Sequence, residues 1–118
     1  MALMPGEMTF WHNPRCRKSR EALALLQERG VQPKVRLYLQ ETPSEAEVIA
    51  LRDALGLTAD EMMRKGEKVF KELGLATADE AGLIDAMVAH PILIERPVLI
   101  EGSRAVIGRP PERVLELI

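Results

Sequence analysis

A chain of 118 residues is long enough for one domain with a modest core, and its 47% hydrophobic and 29% charged content is that of an ordinary globular protein. The formal net charge of -2 argues against a general nucleic-acid or polyanion binder, so any basic cluster is a local feature. The single cysteine excludes an internal disulfide, no Cys/His cluster suggests zinc, and no window of about 18 apolar residues suggests a membrane span.

Residues 1–7 have neither a basic start nor a long apolar stretch, and Pro5-Gly6 reads as part of a flexible leader rather than a secretory signal. Residues 8–12 predict a short buried strand, broken by Asn13-Pro14. A helix is expected from about 15 to 29, with Ser19, Ala22, Leu23 and Leu26 on one face and Gly30 as its stop. Residues 33–39 predict a second strand, with Val35, Leu37 and Leu39 alternating against Arg36 and Tyr38. Thr42, Pro43 and Glu45 read as a capping box for a helix ending at Gly56. Thr58-Ala59-Asp60-Glu61 and Thr77-Ala78-Asp79-Glu80 read as two more helix starts, with a turn or two of helix between them around Val69, Phe70 and Leu73. His90-Pro91 stops the last of these helices, and residues 91–94 read as an extended connector. Residues 97–100 and 105–107 predict a hairpin about Gly102-Ser103, and a short helix follows Arg109-Pro110-Pro111 with Val114, Leu115 and Ile118 as its apolar side. The order is β-α-β, several helices, then β-β-α. It predicts one α/β domain with a helical insertion at about 43–90.

The chemistry concentrates in Trp11-His12-Asn13-Pro14-Arg15-Cys16-Arg17-Lys18-Ser19-Arg20, which holds the lone thiol, one of two histidines and four cations. Acidic residues normally suit the first turn of a helix, where the macrodipole is positive. Arg15, Arg17, Lys18 and Arg20 reverse that preference. A thiolate at such a terminus has a depressed pKa, and the free N–H groups of the turn suit an oxyanion. Cys16 is therefore the candidate nucleophile rather than a buried core cysteine. Ser19 makes the motif Cys-x-x-Ser. Its hydroxyl is placed to bond the Cys16 thiolate across one turn, or simply to sit as a small residue beneath the helix. His12 is open to two roles, tuning the thiol or bonding a loop carbonyl, while His90 reads as a helix terminator. Without a second thiol, Cys16 needs an external thiol to resolve a covalent intermediate.

The run from His12 to Arg20 resembles the active-site loop of the glutaredoxin-coupled arsenate reductases, a family with a thioredoxin-like fold. The similarity continues through Met62-Met63-Arg64-Lys65, through Leu83 to His90 and on through Pro91-Ile92-Leu93-Ile94-Glu95-Arg96-Pro97, and ends with Val106-Ile107-Gly108-Arg109-Pro110-Pro111. It covers residues 8–118 and implies a thioredoxin-like core. The resemblance implies that Cys16 attacks arsenate, that Arg64, Arg96 and Arg109 surround the oxyanion, and that His12, Asn13 and Ser19 support the loop. It also implies a cis Pro97 facing the cysteine. Arginine suits this task because its planar fork donates bidentate hydrogen bonds to a tetrahedral oxyanion. The partners implied are arsenate, glutathione as co-substrate and glutaredoxin to resolve the mixed disulfide, with arsenite as product. No bound cofactor, nucleic acid or membrane is expected, and the expected state is a cytoplasmic monomer.

Two features depart from the family's best-known members: Arg17-Lys18 where others carry small residues, and an end at Ile118 without a further C-terminal segment. Two rival readings follow from the same fold. A glutathione-dependent thiol reductase would need no three-arginine cradle. An RNA polymerase-binding regulator would commonly carry Cys-x-x-Cys as an oxidant switch, and Ser19 removes it.

Overall fold

The structure, a computed structural model, describes residues 8–118. The leader expected at residues 1–7 lies outside the described residues. Two compact units emerge: one joins the chain up to Glu41 to Arg96–Ile118, and the other is Thr42–Glu95.

The first unit holds the sheet. Met8–Trp11 forms β1, whose Phe10 side chain is fully buried. Lys34–Arg36 forms β2, parallel to β1 with Phe10 opposite Val35. Parallel pairing needs a crossover, supplied by α1, Arg17–Glu28. Val98–Glu101 (β3) runs antiparallel to β1, and Arg104–Ile107 (β4) returns beside β3 through a turn in which Gly102 takes φ +58. The order β2-β1-β3-β4 and the β-α-β/β-β-α connectivity are the thioredoxin-like arrangement. Phe10, Leu99 and Val106 from the sheet meet Ala22 and Leu26 of α1 and Val114 of a final 3-10 helix, Pro111–Leu117, in one cluster. Each fully buried aliphatic side chain of this kind contributes roughly 1.5–3 kcal/mol.

The end of α1 follows from Gly30. At φ +75 it lets its own N–H bond Gln27 O at 3.0 Å and that of Val31 bond Leu26 O at 2.9 Å, a Schellman closure. The second strand is shorter than its alternation predicts. It ends at Arg36, and the chain turns over Leu37, whose carbonyl accepts from Gln40 N and Glu41 N. The two-residue period stops there. Tyr38 is therefore fully buried, stacked on Trp11 with ring centroids 6.0 Å apart, while Val35 and Leu39 are exposed. Ile118, expected on the apolar side of the last helix, is exposed as well.

The second unit is helical. Here α2 spans Glu45–Leu55, two residues later than the Thr42-Pro43 signal suggests. Its N-cap is Ser44, whose hydroxyl accepts from Glu47 N at 3.2 Å while the Glu47 carboxylate accepts from Ser44 N at 2.9 Å. Gly56, left-handed at φ +68, closes it. The first Thr-Ala-Asp-Glu segment does form the reciprocal pair, Thr58 N to Glu61 Oε1 at 2.9 Å and Glu61 N to Thr58 Oγ1 at 3.3 Å, but supports only a 3-10 turn, Asp60–Met62. A short α3, Lys68–Glu72, and a 3-10 turn, Leu75–Thr77, follow. Thr77 is consumed by that turn, so α4, Glu80–Ala89, is capped by Asp79, which accepts from Gly82 N at 2.9 Å. Glu80 reaches back to Ala59 N at 3.0 Å and to Arg52 at 3.1 Å, tying the two copies of the tetrapeptide together. The segment expected as an extended connector is instead a 3-10 turn, Pro91–Leu93, after which Ile94 pairs with Met63. Among the described residues no helix is long and apolar enough to cross a membrane.

Candidate active site

β1 ends at Trp11, and His12 continues its line, donating its backbone N–H to Arg36 O at 2.9 Å. Asn13-Pro14-Arg15 then turns the chain. The Asn13 carboxamide accepts from Arg15 N at 3.1 Å, and its backbone carbonyl accepts from Cys16 N at 2.9 Å. Arg20 steadies the same turn by donating to Pro14 O at 2.8 Å. Helix α1 consequently begins at Arg17, and Cys16 is its N-cap residue, extended at φ -94 and ψ 122.

Cys16 makes no side-chain cap to the helix, yet the backbone N–H groups of Ser19 and Lys18 act on its sulfur. Partial burial pushes the thiol up. Opposing it are the Ser19 N–H, the hydrogen bond and the charge of Arg96, and the Lys18 N–H, and together they hold Cys16 below its ordinary value. The partner cation differs from the sequence expectation. Arg15, Arg17, Lys18 and Arg20 are all solvent-exposed, and the guanidinium that meets the sulfur is that of Arg96, 9% exposed. The charge of the buried Arg96 is screened less by solvent than those of the four exposed side chains.

The role of Ser19 is also redirected. Its hydroxyl, in a fully buried residue, lies 2.7 Å from His12 Nδ1 and accepts from Asn13 N at 3.1 Å, so it is engaged by the loop. Ser19 serves the sulfur through its backbone N–H, which the His12 contact helps to hold in place. His12 itself is buried, and burial, followed by the charge of Arg20, lowers its pKa and so favours the neutral ring. Its ring lies 5.4 Å from that of Phe10.

Arg96 and Arg109 each precede a cis proline, Pro97 and Pro110. The resemblance implied the first, and the second was not foreseen. Pro97 is fully buried. Arg109 is partly buried, with its N–H on Ile107 O at 2.9 Å. Arg64 belongs to the second unit. There its guanidinium pairs with Glu67 at 3.3 Å, and its N–H donates to Leu93 O at 2.7 Å. The structure thus brings Cys16, His12, Asn13, Ser19 and Arg96 into one cluster within the first unit. A residue the sequence reading passed over is Gly108. A Cβ built there would lie 2.9 Å from Pro97 Cγ, a steric demand visible only when the two strands' ends are brought together. A concavity of about 290 Å³ is lined by residues 12–15 with Leu37, Leu39 and Gln40. Among the described residues no cluster of His, Cys, Asp and Glu could hold a metal ion.

The sequence profile of the ArsC family matches residues 11–117. The chain belongs to the ArsC family. It is 50% identical over 98% of its length to YfgD, an uncharacterized protein of Escherichia coli K12, 99% of which is covered. It is 46% identical over 92% of its length to an arsenate reductase of Haemophilus influenzae, covering 97% of that protein. Its fold matches the solved structure of an arsenate reductase from Vibrio cholerae with a TM-score of 0.91 and 45% identity, covering 94% of this chain and 97% of that one. The matched residues include both the cysteine loop and the late arginines.

Proposed function

We propose that this chain is an oxidoreductase that reduces arsenate to arsenite through a covalent adduct on Cys16. The observation that carries the reading is the sulfur held at a helix N-terminus against the buried Arg96 guanidinium. Such a thiolate is a nucleophile, and the same donors suit the oxygens of a tetrahedral anion. In the proposed reaction the thiolate attacks arsenic and expels hydroxide or water, forming the S–As bond. Glutathione displaces a second oxygen. The thiol of glutaredoxin then attacks the glutathione sulfur, so the electron pair of that S–As bond stays on arsenic, which becomes arsenic(III). The two external thiols leave as a mixed disulfide, and hydrolysis of the Cys16–As bond releases arsenite and the free thiolate.

Arg96 holds sulfur and substrate oxygens together. Arg109 and Arg64 take the same oxyanion-binding role that the resemblance implies for them. His12 and Ser19 orient the loop, and Asn13 fixes its turn. A lone thiol requires an external one, and the concavity beside residues 12–15 offers such a molecule room next to the loop. A reducing compartment, the cytoplasm, suits this chemistry, and the chain acts as a monomer.

The test is a coupled assay with glutathione, glutaredoxin, glutathione reductase and NADPH. Arsenate-dependent NADPH oxidation is expected, and it disappears in Cys16→Ser. Turnover no higher than in that variant would overturn the arsenate reading. Replacing glutaredoxin, glutathione and glutathione reductase by thioredoxin and thioredoxin reductase decides the reductant: loss of turnover supports the glutathione-dependent scheme, and full activity without glutathione overturns it.

A further inference from the structure

We propose that Gly108 is a positioning residue for the reactive thiol: the absence of a side chain there lets the end of β4 close on Pro97 and so fixes where Arg96 meets Cys16. This rests on the reading of Cys16 and Arg96 as the reacting thiolate and its partner. A Cβ at position 108 would stand 2.9 Å from Pro97 Cγ, 3.5 Å from Pro97 Cδ and 2.9 Å from Val114 Cγ1. The first and last distances are well inside the separation at which carbon atoms are in optimal contact, about 3.5–4.0 Å.

Neither neighbour yields easily. Val114 is fully buried in the core cluster beneath the sheet. The Pro97 ring is also fully buried, has no rotamer to move into, and is bonded directly to the Arg96 carbonyl. Gly108 N donates to Pro97 O at 2.8 Å, so the two backbones are already joined at this point. A methyl group is therefore accommodated by moving the Arg96–Pro97 backbone, the Gly108–Arg109 backbone or both. Each movement displaces an arginine assigned to the site, and the first displaces the guanidinium that hydrogen-bonds the Cys16 sulfur. The φ of Gly108 is not in the left-handed region, so space, not backbone freedom, is what glycine supplies.

The experiment measures the rate of Cys16 alkylation by iodoacetamide as a function of pH in the wild type, Gly108→Ala, Val114→Ala and the double variant. This readout needs no arsenate, so it stands or falls separately from the proposed reaction. Gly108→Ala is expected to move the alkylation midpoint upward, with the rate at neutral pH falling about 3- to 10-fold as the Arg96 contact weakens. Val114→Ala, a cavity variant that lowers stability, leaves the midpoint in place. The double variant removes the Val114 clash and retains the Pro97 clash. It folds even where the single variant does not, and it keeps the raised midpoint. A wild-type midpoint in either variant carrying alanine at position 108 would overturn the proposal, as would an equal shift in Val114→Ala.

Discussion

Helices α1 and α2 begin in opposite ways. The start of α2 is built for stability: Ser44 and Glu47 satisfy each other's backbone N–H groups, and Glu45 and Glu47 place negative charge at the positive end of the dipole. The start of α1 has no acid in its first turn and no side-chain cap. Arg17 and Lys18 stand where acids would be favoured. What α2 gains from its own carboxylates, α1 leaves open for a thiolate and a visiting anion. The contrast locates function as a withheld stabilisation, because the unspent N–H groups of Lys18 and Ser19 are those that lower the pKa of Cys16.

Breaking the α1 side should cost chemistry. Arg96→Gln removes the buried guanidinium from the sulfur, and kcat/KM for arsenate in the coupled assay should fall by about 10²–10³. The alkylation profile of Cys16 moves to higher pH in the same variant. Breaking the α2 side should cost only stability. Ser44→Ala is expected to lower the unfolding free energy in urea by about 0.5–2 kcal/mol while leaving both turnover and the Cys16 pH profile unchanged.

The comparison sharpens if α1 is given the acid it lacks. Cys16→Asp supplies a carboxylate N-cap facing the Ser19 and Lys18 N–H groups. It should be inactive yet more stable than Cys16→Ala by about 0.5–1 kcal/mol in urea unfolding. Equal stabilities would mean that those donors are not available to an anion.

The smallest effect concerns pH. His12 has its pKa lowered in the fold, so the unfolded chain binds the proton first as pH falls. The stability that the neutral ring contributes is present above the ordinary histidine value of 6.5 and is lost as pH drops through the folded value. The urea midpoint of the wild type should therefore fall more steeply below that pH than the midpoint of His12→Asn.

How much was legible in the chain depends on the range of the forces involved. Gly30, Gly56 and Gly102 were read correctly because a left-handed turn is decided by one residue and its immediate neighbours. The strand about Tyr38 was misread because alternation says which residues share a face, not where pairing stops. The two Thr-Ala-Asp-Glu segments have one composition and two outcomes. Thr58 pairs with Glu61, whereas Thr77 lies in a preceding turn and Asp79 takes the cap.

By itself the sequence determined the candidate nucleophile and its setting: a lone cysteine after a strand-breaking proline, at the head of a helix with no acid in its first turn. Backbone geometry and helix electrostatics act over a few residues, so they can be read locally. Only the tertiary structure decided which cation stands at that cysteine. Four arginines and lysines adjacent in sequence are spread into solvent, while Arg96, distant along the chain, is carried to the sulfur at the head of β3. It decided likewise that Ser19 turns its hydroxyl to His12 and that Gly108 must leave room for Pro97. Burial and through-space contact set these outcomes, and both depend on which distant segments the fold brings together.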